Sequence, residues 1–167
     1  VAAAPVVSFE EACAAACGPE GPFPIGEAEV RGVQVPVFEK APPSLRALFS
    51  VARTRPDDVF LVYEDERLTF GDVMARVDAT AAGLVERYGI AKGDRVAIAM
   101  RNYPEFVTTF AAVASVGGIA VLMNAWWTRE EMDYGLEDCG AKLLVADAER
   151  IERAYPAMDR LGFRAVA

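Results

Sequence analysis

Histidine is missing from all 167 residues, and that absence removes more chemistry than any motif supplies. Without an imidazole there is no ordinary Ser-His or Cys-His pair, and the commonest metal ligand is gone. No G-x-x-x-x-G-K-S/T loop, G-x-G-x-x-G fingerprint or G-x-S-x-G elbow occurs either, so neither a phosphate cradle nor a nucleophile elbow can be placed. Lysine is scarce, confined to Lys40, Lys92 and Lys142, and the net charge of −8 with a pI near 4.6 leaves no basic patch to displace counterions from nucleic acid. The three cysteines, Cys13, Cys17 and Cys139, are an odd number that suits a reducing compartment better than a disulfide framework. Cys13 and Cys17 stand one helical turn apart, but with no histidine and no fourth thiolate they read as small residues on an alanine-rich helix, not as metal ligands. Acidic pairs at Asp57-Asp58 and Glu130-Glu131 fall in a turn and in a helix's first turn, where negative charge is solvated or suits the dipole. The residues therefore offer no catalytic group and no metal site.

What is present is alternation. Arg95 to Met100, Ile119 to Met123 and Leu143 to Ala146 are short apolar runs of the kind that form strands covered on both faces. Between the first two, Pro104 sits where a first helical turn tolerates it, with Phe106, Phe110 and Val113 expected on the inner side as far as Gly117 and Gly118. Between the second and third, Thr128 and Glu131 spell a capping box for a helix with Met132, Leu136 and Cys139 inward, closed by Gly140. Asp147 then caps a helix carrying Ile151, Ala154 and Tyr155, which Pro156 is expected to end or kink, and a fourth strand begins near Phe163.

Upstream, Ser44 caps a short helix with Leu45, Leu48, Phe49 and Ala52 on one face. Val59 to Tyr63 and Arg67 to Leu68 flank an acidic tip as a hairpin. Thr69 opens the longest helix, whose stripe of Phe70, Val73, Met74, Val77, Ala81, Leu84, Val85 and Tyr88 runs until Gly89. Residues 1–43 differ in texture: an alanine-rich helix, a Gly/Pro loop from Gly18 to Pro24, and a strand or hairpin over Val30 to Phe38 that turns at Gly32. The predicted organisation is a leader arm over 1–43 and an α/β subdomain over 44–167, built as a layered, mainly parallel sheet with flanking helices.

Phe106 to Thr128 contains no charged residue and is long enough to cross a bilayer, with Trp126 and Trp127 resembling an interfacial belt. The adjacent glycines, Asn124 and the flanking strands that need this segment as their crossover favour a buried βαβ unit. Because Glu10 and Glu11 interrupt the only alanine-rich stretch and no basic segment precedes it, no secretory signal is recognised and a cytoplasmic address is expected.

In open α/β sheets, ligands collect beyond the carboxyl ends of the strands. That edge selects Arg101, Asn102, Asn124, Trp126, Trp127 and Asp147 as the candidate site. Asn102 has a plain alternative in capping a turn, and the tryptophans in packing.

The run from LTFGDV to LLVAD resembles the amino-terminal region of the adenylate-forming superfamily, and within it most resembles fatty-acyl-CoA ligases. LTFGDV is similar to the family's first core motif, with Phe70 where tyrosine is common and Asp72 for glutamate. SVGGIAVLMNAWWT is similar to the second, with Met123 beside the usual Asn124. The segment from Gly21 to Phe49 also resembles the leader of the fatty-acid branch. The resemblance implies a parent enzyme that activates a fatty acid or other carboxylate with Mg-ATP as an acyl-adenylate and then forms a thioester with coenzyme A. It also implies a homo-oligomer, at the membrane surface at most as a peripheral protein. The family's phosphate loop, its ATP- and magnesium-holding segment, its ribose-binding aspartate and its catalytic lysine have no counterpart in these residues, so no catalytic or cofactor-binding residue is carried over. The chain is thus expected to be an amino-terminal fragment, inactive alone and binding no ATP, magnesium or coenzyme A. A receiver-type signalling domain is disfavoured because Asp57-Asp58 precede a strand instead of following one. A non-catalytic binding or oligomerisation module is the remaining alternative.

Overall fold

The computed structural model describes residues 7–167, so the first six residues of the leader lie outside the described residues. The chain divides into two compact units, one ending at Pro43 and the other Ser44–Ala167.

In the first unit, α1 (Phe9–Cys17) opens on a capping box in which the Ser8 hydroxyl accepts from the Glu11 N–H and the Glu11 carboxylate accepts from the Ser8 N–H. Those bonds, the backbone one foremost, hold the Glu11 carboxyl below its ordinary range. Strands β1 (Ile25–Val30) and β2 (Val33–Phe38) form an antiparallel hairpin paired from Ile25↔Phe38 to Val30↔Val33. Of the strand or hairpin predicted over Val30 to Phe38 with its turn at Gly32, the hairpin is what forms, and its outgoing strand starts five residues earlier, at Ile25. Arg31 and Gly32 turn it, both at positive φ (52° and 81°), the conformation a two-residue hairpin loop requires.

The second unit begins with α2 (Leu45–Val51), capped by Ser44. The hairpin β3 (Val59–Tyr63) and β4 (Glu66–Thr69) leads into α3 (Phe70–Glu86), capped reciprocally by Thr69 and Asp72. Four parallel strands follow: β5 (Arg95–Ala99), β6 (Ile119–Leu122), β7 (Leu143–Ala146) and β8 (Arg164–Val166), in the order β6-β5-β7-β8. They are linked by α4 (Pro104–Ser115), α5 (Arg129–Cys139) and α6 (Ala148–Leu161). Alternate residues of the central strands serve two cores. Val96 and Leu143 pack with Val73, Val77 and Leu84 of α3 and with Ala112 of α4. Ala97, Ala99, Leu144 and Ala146 pack with Met132 and Leu136 of α5 and with Ala154 and Ala157 of α6. This is the predicted layered α/β architecture, and β5 and β7 are buried because helices cover both their faces.

Several local expectations are corrected. α4 turns Thr108, Thr109, Ala111, Ala112 and Val113 fully inward, whereas Phe106 and Phe110 are only half-buried, because small residues let α4 approach α3 closely. β6 is an edge strand, so Ile119 and Leu122 are exposed and not core. Leu45 and Leu48 of α2, Val85 of α3 and Tyr155 of α6 also face solvent. Pro156 does not end α6: the helix continues to Leu161 and closes at Gly162 with φ 71°. Pro156 lies on the exposed side, where the carbonyl it leaves unpaired can be hydrated, while Ala154 and Ala157 anchor the buried side. The uncharged stretch Phe106 to Thr128 is shared among α4, a glycine turn, β6 and the loop after it. Among the described residues no helix is long and apolar enough to cross a membrane.

The turn between α4 and β6 uses its two glycines differently. Gly117 takes the left-handed conformation, φ 80°, while Gly118 does not; a Cβ on Gly118 would instead lie 3.0 Å from Val113 Cγ1 and 3.2 Å from the Val113 carbonyl oxygen. Gly118→Val is therefore expected to cost about 1–3 kcal/mol by overpacking against a buried valine, not by strained φ. A urea midpoint unchanged from the parent chain would show that α4 can move aside.

Candidate functional site

The order β6-β5-β7-β8 means that the chain leaves β5 to one side and returns on the other. The crevice beyond the carboxyl ends of β5 and β7 is thus a topological switch point. Three connections meet there: Met100 to Tyr103 after β5, Met123 to Thr128 after β6, and Asp147 after β7.

Asp147 holds the centre. Its Oδ1 accepts from the Arg150 N–H at 3.1 Å, capping α6, and its Oδ2 accepts from the Arg101 N–H at 3.3 Å, fixing the chain as it leaves β5. Arg150 is the most buried charged side chain, 1% exposed. Its Nε donates to the Ala125 carbonyl at 2.8 Å, and its Nη1 faces both Asp147 oxygens at 3.3 Å and Glu149 Oε2 at 2.8 Å. Arg153 adds a bond from Nη1 to the Trp127 carbonyl at 3.1 Å and an ion pair with Glu149. The β6–α5 loop is braced internally as well, since Asn124 Oδ1 accepts from the Trp126 N–H at 2.9 Å.

The two tryptophans diverge. Trp127 is half-buried and joins the core under α5, where Gly135 makes room for it: a Cβ there would lie 2.7 Å from Trp127 Cζ3. Trp126 is 71% exposed, with the guanidinium carbons of Arg101 and Arg150 at 5.4 and 5.7 Å from its ring centroid, inside cation–π range.

Beside them opens a cleft of about 360 Å³, lined by Tyr63, Glu64, Arg101, Asn102, Tyr103, Ala125 and Trp126. Tyr63 and Tyr103 meet edge to face at 5.8 Å. Burial pushes the Tyr63 hydroxyl upward, Glu64 and Tyr103 reinforce the shift, and Arg101 opposes it. A larger hollow of about 570 Å³ lies elsewhere, between α2, α3 and the end of α4, under the exposed Arg53–Asp78 pair; its floor of Phe49, Met74 and Val77 makes it a gap between helices.

Of the six residues predicted for the edge, Arg101, Asn102 and Trp126 come together in the cleft. Asn124 and Asp147 brace its walls, and Trp127 anchors the loop to the core. Sequence reasoning missed Tyr63, Glu64 and Tyr103, two of which arrive on the β3–β4 hairpin from far along the chain. It also missed Arg150 and Arg153, whose three-residue spacing behind the Asp147 cap was the available signal. Among the described residues no group of three or more histidine, cysteine, aspartate or glutamate side chains could hold a metal ion, and Cys13 and Cys17 are free thiols. A mixed cleft of aromatic rings, one guanidinium, one carboxylate and an amide can bind and orient a ligand.

A family model described as AMP-binding enzyme matches residues 48–163. A 2-succinylbenzoate–CoA ligase of Bacillus velezensis is 34% identical over 100 residues, covering 60% of this chain and 20% of the relative. A long-chain-fatty-acid–CoA ligase of Bacillus subtilis is 33% identical over 90 residues, 54% of this chain and 16% of the relative. The chain thus spans about a fifth or less of the length of these curated relatives. Among solved structures, O-succinylbenzoate coenzyme A synthetase of Bacillus subtilis in complex with AMP superposes with a TM-score of 0.63 at 27% identity, over 74% of this chain and 31% of that one.

Proposed function

The chain belongs to the AMP-binding enzyme family, and from that premise we propose that it forms the amino-terminal part of an ATP-dependent acid–CoA ligase. In that reaction a substrate carboxylate attacks the α-phosphorus of ATP and expels pyrophosphate. The coenzyme A thiol then attacks the acyl carbon of the adenylate, giving a thioester and releasing AMP. The observation that carries this reading is the match of the family over residues 48–163 together with relatives that are themselves CoA ligases. The residues of this chain bind and orient at the sheet edge; the groups that stabilise charge at phosphorus are supplied from elsewhere in the parent. The finer reading is a fatty-acid substrate, supported by the long-chain-fatty-acid relative and by the leader's resemblance to that branch. One observation favours an aromatic acid instead, the similarity to 2-succinylbenzoate–CoA ligase.

The test is pyrophosphate release from the longest reading frame that contains this chain, with Mg-ATP and a panel of carboxylates. Release is expected to need both ATP and an acid, with fatty acids ahead of 2-succinylbenzoate. No acid-dependent release across the panel refutes the ligase reading, and a preference for the aromatic acid refutes only the finer one. The isolated chain is expected to release none, because the family's phosphate loop and catalytic lysine, which would stabilise the charge developing at phosphorus, have no counterpart in these residues.

Self-association belongs to the same reading. The second unit exposes Val59, Phe60, Val62, Ile119 and Leu122, and edge strands offer unpaired backbone groups. A dimer is the expected state, and light scattering that stays monomeric across a concentration series would remove it.

A further inference from the structure

We propose that Arg150 is the positioning residue of the cleft, one buried guanidinium that sets both its cationic wall, Arg101, and its aromatic wall, Trp126. Arg101 and Trp126 follow different strands, and each is tied to Arg150 by a separate route. Toward β5, Arg150 Nη1 and the Arg150 N–H hold Asp147, whose Oδ2 accepts the Arg101 N–H at 3.3 Å. Toward β6, Arg150 Nε holds the Ala125 carbonyl at 2.8 Å, next to Trp126, and the guanidinium carbon lies 5.7 Å from the Trp126 ring. Stability alone does not account for an arginine here. Its Nη2 is buried with no partner among the described residues, and a buried ion pair is no more stabilising in general than apolar packing. What arginine adds over an apolar residue is a rigid planar fork whose donors reach two loops at fixed angles.

The inference rests on the cleft being the ligand edge of the proposed ligase, but its geometry is tested without ligand or turnover. Amide exchange followed by NMR on this chain, with Arg150→Gln, is expected to speed exchange at both Arg101 and Trp126 by roughly tenfold, while the amides of Val96, Ile98 and Leu144 keep their protection. Faster exchange at Trp126 with Arg101 unchanged overturns the proposal, because Asp147 would then hold β5 unaided. Loss of protection at every amide together, in Arg150→Gln and in Arg150→Lys alike, also overturns it, since the residue would then be merely structural. Arg150→Lys keeps the charge but not the fork; it is read by the same criteria should the glutamine variant not fold. In the full reading frame, Arg150→Lys is expected to raise a substrate KM several-fold with kcat retained, the signature of lost uniform binding. Coupled exchange with unaltered KM supports the positioning role and refutes the assignment of the cleft as a ligand site.

Discussion

Replacing Leu144 with alanine is expected to cost about 3–5 kcal/mol, the upper range for a leucine truncated in a fixed core. Leu144 is fully buried at the middle of β7, paired with Ala97 of β5 and Ala165 of β8. Its side chain fills the space under α5 and α6 among Met132, Leu136, Ala154 and Ala157. Strands on both sides fix the backbone of β7, and the alanines facing it from α6 are too short to close the gap, so the cavity stays open. Leu122 provides the internal control, because it lies on the edge strand and is 51% exposed. Its truncation removes little buried area and is expected to cost under about 1 kcal/mol. Urea unfolding of the two variants, with equal m-values, measures the contrast. Similar midpoints for both would mean that the β6–β5–β7 order does not hold in solution.

The contrast between Leu144 and Leu122 also marks what the sequence could and could not disclose. Both sit in short apolar runs bounded by turn signals, so both read as buried strands. Which of them is central depends on the chain returning past β5 after α5, a topological fact that local pattern does not encode. Caps were legible because their chemistry is local: Ser44, Thr69, Thr128 and Asp147 each accept from a backbone N–H three residues on. Gly140 closes its helix at positive φ for an equally local reason, whereas the same role of Gly162 was masked by Pro156, the expected end or kink of α6. Helix faces were less legible wherever the helix is buried on several sides. In α4 the small residues Thr108, Ala111 and Ala112 go inside, and the large Phe106 and Phe110, which a hydrophobic stripe would select, go to the margin.

The candidate site divides the same way. Strand-end logic found Arg101, Asn102 and Trp126, since each lies within three residues of the end of a predicted strand. It could not find Tyr63 and Glu64, which reach the cleft from the β3–β4 hairpin, outside the parallel sheet altogether. Arg150 was hidden for a chemical reason: an arginine in a helix's first turn reads as solvated and mildly unfavourable to the dipole. The capping aspartate, Glu149 and the Ala125 carbonyl gathered around it make burial of that charge tolerable.

That dependence makes Asp147 the most consequential polar position. Asp147→Ala is expected to cost about 3–5 kcal/mol, because it takes from a buried guanidinium the more buried of its two carboxylate partners. The same substitution removes the cap of α6, worth about 1 kcal/mol, and the acceptor of the Arg101 N–H. Glu149 also pairs with Arg150, but its side chain is 56% exposed, so solvent weakens that compensation. Asp147→Asn separates the contributions. The amide oxygen can still cap α6 or accept from Arg101 but carries no charge, so about 1–2 kcal/mol is expected, the worth of a charge-assisted bond made neutral. Pairing Asp147→Ala with Arg150→Met should recover much of the loss, because the double variant leaves neither a buried charge nor an orphaned donor on residue 150. Equal loss for Asp147→Ala and Asp147→Asn would assign the whole effect to charge and none to the backbone bonds. Strict additivity in the double variant would show that Asp147 and Arg150 act independently, and the strand ends would then be held by the loops' own bonds.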